Sequence, residues 1–188
     1  MYACNFSNGT VSEEEYTLLR ELVREAGQYA GPIIEIGTLL GGTTSRLALW
    51  SRPRQKVITV DNFCWNPWGF TTEQHKSLAS QVLYYLTQTG RVELVYQDKS
   101  KFYRTYDGGP PALVFLDADH EYDTTKMDIQ WALSAGARII SGHDYCAPWP
   151  DVVRAVEEYG GTERLCGSLW VLKQKRRARL RYKRVKKL

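Results

Sequence analysis

Glu35-Ile36-Gly37-Thr38-Leu39-Leu40-Gly41-Gly42-Thr43-Thr44 closes a short apolar run that begins at Pro32 and leads into Thr43 to Trp50, which reads as a helix. A glycine turn between strand and helix marks an α/β unit, and open α/β sheets bind ligands at the carboxyl ends of their strands. The spacing narrows the ligand. A dinucleotide fingerprint is G-x-G-x-x-G, and Leu39 stands where the second glycine must let backbone approach a pyrophosphate. A phosphate-binding loop is G-x-x-x-x-G-K-[ST], and Thr43 replaces its lysine. Both phosphate readings lose their main determinant, and E-x-G-x-x-x-G-G-T remains.

The same alternation continues on both sides. Ser12 followed by Glu15 is a capping-box pattern, and Leu18, Leu19, Leu22, Val23 and Ala26 then recur at helical spacing, which predicts a helix over 12–29. Val57 to Val60 is a second strand ending at Asp61, Thr72 to Thr89 a helix, and Val92 to Tyr96 a third strand. Ala112 to Leu116 is apolar throughout, as a strand covered on both faces must be, and ends at Asp117. Thr124 to Ser134 is helical, Arg138 to Ile140 a fifth strand, and Asp151 to Tyr159 a helix stopped by Gly160-Gly161. Arg164 to Cys166 and Leu169 to Leu172, around Gly167-Ser168, pair as an antiparallel hairpin. The fold class is α/β: one doubly wound, Rossmann-like sheet, mostly parallel with a C-terminal antiparallel hairpin.

The surviving motif resembles motif I of the class I S-adenosylmethionine-dependent methyltransferases. The resemblance implies that Glu35 serves the cofactor's ammonium and that the turn of Gly37, Thr38, Gly41, Gly42 and Thr43 serves its carboxylate. It places Asp61, with Asn62 beside it, at the ribose, and Asp98 with Ser100 near the adenine. A closer resemblance spans about residues 30–172. Asp117-Ala118-Asp119-His120 before a helix, then Gly142-His143-Asp144-Tyr145, look like the family of metal-dependent sugar O-methyltransferases and cephalosporin-hydroxylase-like proteins. Asp117 would face both cofactor and metal, and Asp144 matches a second metal ligand. His143 falls where relatives usually carry Glu or Asp, which leaves the third ligand open. Mg²⁺ or another divalent cation is the expected ion. The general base falls on His120 or Asp119, and His120 is preferred because its ordinary pKa lies near neutrality. Phe63, Trp65, Trp68 and Phe70, with Trp149, would form a lid over the acceptor, or bury a contact in a homodimer.

Composition supports this reading and limits it. The chain has 188 residues, 43% hydrophobic and 24% charged, which suits one globular domain over 1–172. Residues 173–188 hold ten Lys or Arg and no acid, leaving 15 basic against 21 acidic residues before them. This basic C-terminal tail admits a nucleic-acid methyltransferase as one competing reading, although no N-P-P-Y motif or catalytic cysteine motif accompanies it, and a cofactor-binding module without catalysis is the other. Cys4, Cys64, Cys146 and Cys166 show no metal-binding spacing, and no apolar run spans a bilayer. Without a signal-peptide pattern at residue 1, the expectation is a cytoplasmic O-methyltransferase acting on a small-molecule hydroxyl.

Overall fold

The computed structural model describes residues 11–174. Among these residues, seven strands form one sheet: β1 (Ile33–Ile36), β2 (Val57–Asp61), β3 (Val92–Tyr96), β4 (Leu113–Leu116), β5 (Ile140–Gly142), β6 (Thr162–Cys166) and β7 (Leu169–Leu172). The helices are α1 (Glu13–Ala26), α2 (Gly42–Trp50), α3 (Thr72–Val82), α4 (Tyr84–Gln88), α5 (Lys99–Thr105), α6 (Tyr122–Ser134) and α7 (Pro150–Glu158). Strand order is β3-β2-β1-β4-β5-β7-β6, the first five parallel and β7 antiparallel to both neighbours. The chain therefore winds outward from β1 in one direction, then restarts at β4 in the other, and the crevice between β1 and β4 is the topological switch point.

Strand sequences explain the two layers. In β4, Leu113 and Phe115 pack with α1 and α2, while Val114 and Leu116 pack with α6 and α7. Leu169 and Val171 in β7 join the first layer, and Trp170 and Leu172 the second. The predicted capping box is present, with the Ser12 hydroxyl accepting from Glu15 N–H and the Glu15 carboxylate accepting from Ser12 N–H. Arg164 clamps Glu25 bidentately at 2.7 and 2.9 Å, joining β6 to α1.

Three elements differ from the sequence expectation. The helix expected over 72–89 breaks at Leu83, which turns inward, is fully buried, and packs on Gly41. The fifth strand lies at Ile140–Gly142 rather than Arg138–Ile140, because Arg138 instead donates its N–H to Pro111. Asp98 caps α5, a helix the sequence reading missed. Cys64, Cys146 and Cys166 are free thiols. Cys4 and the tail over 175–188 lie outside the described residues.

Candidate active site

Parallel register aligns the strand ends. Ile36 of β1 pairs with Leu116 of β4, and Leu116 with Gly142 of β5, so Gly37, Asp117 and His143 emerge side by side. Gly37 has φ +99°, and a Cβ there would lie 1.9 Å from the Asp117 carbonyl, so only glycine allows these two strands to part around a crevice. Above them opens a cavity of about 730 Å³, within the usual range of roughly 300–1,000 Å³ for small-molecule sites. Among the described residues, the non-glycine residues with positive φ are Leu39, Phe63 and Asp144, in the loops that follow β1, β2 and β5. Such strain concentrates where surrounding structure enforces a functional geometry.

One half of the cavity is built by the glycine turn. Asp61 Oδ2 accepts the Thr38 and Leu39 amides at 2.7 and 3.0 Å, and Oδ1 accepts the Phe63 amide at 2.6 Å. A carboxylate offers about four lone-pair positions, so roughly one is left for a ligand. The residue expected to hold ribose thus first holds the turn itself. Gly41, at φ +82°, is the N-cap of α2 and supplies no capping side chain, so the first-turn amides of Gly42 and Thr43, on the cavity wall, are open to an anion. Thr38, Asn62 and Asp98 also line the cavity. Asp98 accepts the Ser100 and Lys101 amides of α5, and the Ser100 side chain, together with these amides, holds its carboxyl below the ordinary carboxylate range.

Glu35, Gly41 and Ser100 do not line the cavity. Glu35 is fully buried behind the turn, where Thr59 and Thr44 donate hydroxyls to Oε2 and Oε1 has no partner among the described residues. Burial pushes its carboxyl up to about 8. Enclosed there, Glu35 holds the turn through the chain Thr38 to Thr59 to Glu35, and its side chain does not reach the cavity wall.

The other half of the cavity carries the titratable groups. Asp117, His120 and Asp144 each bring a ligand atom within 4.8 Å of the others. His120 Nε2 lies 2.7 Å from Asp144 Oδ2, and its ring stacks on Trp149 with centroids 4.1 Å apart. Burial raises Asp117 to about 6, against the pull of His143. Burial also opposes ionisation of Asp144, yet hydrogen bonds from His120 and His143 hold it well below the carboxylate range. Burial would depress His143, but Asp144, Asp117 and Glu15 raise it to about 9. The donor set of carboxylates and imidazoles fits a divalent cation. Asp119 is more than half exposed and paired with Lys99 Nζ at 2.8 Å, and Lys99 also binds the buried Asp128 at 2.7 Å.

Sequence reasoning missed Glu15, Gln97, Lys99 and Ser168, which line the same cavity. Glu15 had been visible only as a capping residue, and Ser168 only as a hairpin turn. Of the expected aromatic lid, Trp65, Trp68 and Trp149 line the cavity, whereas Phe63 is core, edge-on to the buried His75. His75 donates Nε2–H to the Leu39 carbonyl and so braces the turn from below.

Residues 34–145 match a family described as a methyltransferase domain. A catechol O-methyltransferase of Mycobacterium tuberculosis is 34% identical over 106 residues, which cover 56% of this chain and 43% of that protein. The crystal structure of cofactor-bound Rv0187 from MTB superimposes with a TM-score of 0.62 at 28% identity, covering 80% of this chain and 69% of that one. An O-methyltransferase from Bacillus cereus in complex with SAH gives a TM-score of 0.66 over 90% of this chain and 85% of that chain, and at 22% identity shows the likeness of fold alone. With the match extending over more than half its length, the chain belongs to this methyltransferase-domain family.

Proposed function

We propose that the protein transfers the methyl group of S-adenosylmethionine to a hydroxyl of a small-molecule acceptor, assisted by a divalent cation. One observation carries this reading: a single cavity joins the open α2 amides and Asp61 to the cluster of Asp117, His120 and Asp144. The first half suits the co-substrate. The amides of Gly42 and Thr43 would receive its carboxylate, Asp117 its ammonium, and Asp61 and Asn62 its ribose, with Asp98 toward the adenine. The relatives with catechol O-methyltransferase and cofactor-bound descriptions support the assignment.

The second half suits activation of a hydroxyl, which is a poor nucleophile near neutral pH. Asp144 accepts from His120 Nε2, which fixes the tautomer and leaves Nδ1 to take the acceptor's proton. Asp119 is the weaker candidate because Lys99 already neutralises it. Asp117, Asp144 and one imidazole would hold the cation, whose chemistry is to lower the pKa of the acceptor hydroxyl. The acceptor oxygen bonds to the methyl carbon as the carbon–sulfur bond breaks. Trp65, Trp68 and Trp149 would stack on the acceptor and exclude water.

Calorimetric titration with S-adenosylmethionine, followed by mass-spectrometric screening of catechol and sugar acceptors with and without Mg²⁺ or Mn²⁺, tests the proposal. Saturable binding and a methylated hydroxyl product are expected. Absence of binding at millimolar co-substrate would overturn it.

A further inference from the structure

We propose that His143 is a nitrogen ligand of the cation site, oriented by Glu15 and Ser168, and that the site therefore prefers Mn²⁺ or a similar imidazole-binding ion to Mg²⁺. This rests on the reading that Asp117 and Asp144 hold a cation. Hydrogen-bond accounting carries it. Ser168 donates both N–H and Oγ–H to Glu15 Oε1, at 2.6 and 2.9 Å. With its proton committed there, Ser168 Oγ can only accept, and it stands 2.9 Å from His143 Nε2. Glu15 Oε2 lies 3.3 Å from the same nitrogen. Two acceptors keep a proton on Nε2, so Nδ1 is the nitrogen turned toward the carboxylates, 3.4 Å from Asp144 Oδ2 and 3.9 Å from Asp117 Oδ1, and the Nδ1 proton that faces Asp144 in the ion-free site is the one a cation would displace. Metal bonds of about 2.0–2.2 Å place neighbouring donor atoms roughly 3–4 Å apart, so these separations suit one shared ion.

The supporting shell is assembled from distant parts of the chain. Glu15 comes from the first turn of α1, is almost fully buried, and is pinned by Ser12 N–H at 2.7 Å. Gly167, at φ +58°, lets the β6–β7 turn approach it, since a Cβ there would come within 2.5 Å of Glu15 Oε1. A carboxylate that holds the far nitrogen of a ligating histidine fixes the ring's orientation and raises its basicity, and its loss typically weakens metal binding 10–100-fold. Imidazole nitrogen suits borderline divalent ions, whereas Mg²⁺ prefers oxygen. Glu15 is thus a positioning residue for His143.

Pulsed electron paramagnetic resonance on the full chain loaded with Mn²⁺, together with calorimetric titration of Mn²⁺ and Mg²⁺, tests this. A ¹⁴N coupling is expected in the wild type, retained in His120→Ala and lost in His143→Ala. Mn²⁺ should bind at least about tenfold more tightly than Mg²⁺, and Glu15→Gln and Ser168→Ala should each weaken Mn²⁺ about 10–100-fold while leaving S-adenosylmethionine affinity intact. Bound Mn²⁺ without ¹⁴N coupling, or coupling that survives His143→Ala, would overturn the histidine ligand and leave an oxygen-only cation site standing. A chain that binds S-adenosylmethionine but neither Mn²⁺ nor Mg²⁺ would overturn both the inference and the cation, but not the methyl transfer.

Discussion

Replacing Glu35 with Gln isolates what the buried acid does. The side chain is enclosed, with Oε2 held by Thr44 and Thr59 and Oε1 without a partner, and its pKa is raised by burial from the ordinary 4.5 to about 8. A raised folded-state pKa means that Glu35 contributes its stability below 4.5 and loses it as pH rises through 8. At about 1.4 kcal/mol per pH unit the gap corresponds to roughly 5 kcal/mol, an upper figure because a charged interior relaxes and admits water. Glutamine keeps an oxygen for both threonines but cannot ionise. Urea unfolding should therefore show the two proteins within about 1 kcal/mol of each other near pH 5 and the variant more stable by about 2–5 kcal/mol near pH 9. Titration with S-adenosylmethionine should change by less than about threefold, because Glu35 is not on the cavity wall. Parallel pH profiles, or a loss of affinity above tenfold, would refute the reasoning and return Glu35 to the ammonium.

Gly37→Ala should cost about 3 kcal/mol or more in urea unfolding, since its Cβ meets the Asp117 carbonyl and φ is +99°. Asp61→Ala removes the acceptor of three amides, so stability should fall by about 2–4 kcal/mol alongside co-substrate affinity, whereas a pure ribose contact would spare stability. His120→Ala should lower kcat by about 10²–10⁴, and Asp119→Asn by less than about tenfold, in a methyl-transfer assay with a common acceptor.

The core and topology were legible because periodicity reports burial directly. Ile33-Ile34 and Leu113 to Leu116 alternate between two hydrophobic layers, and their unbroken apolarity is what a parallel sheet covered on both faces requires. The strand-end acids Asp61, Asp98, Asp117 and Asp144 were placed correctly at the carboxyl edge for the same reason. What periodicity does not carry is how a carboxylate divides its lone pairs. Asp61 and Asp98 serve backbone amides first, and Glu35 sits behind the turn rather than in it. Long-range partners were hidden as well. Glu15 and Ser168 are 153 residues apart, and only the packing of α1 on the β6–β7 turn brings them to His143. The break at Leu83 escaped notice because a buried leucine facing Gly41 has the same spacing as one continuing a helix.

A crystal structure of the chain with S-adenosylhomocysteine bound tests the central claim most directly. The ligand's carboxylate should lie on the Gly42 and Thr43 amides, its ribose beside Asp61 and Asn62, and its sulfur should face the side of the cavity that carries Asp117, His120 and Asp144. A ligand found elsewhere, or one whose sulfur faces away from that cluster, would contradict methyl transfer at this site.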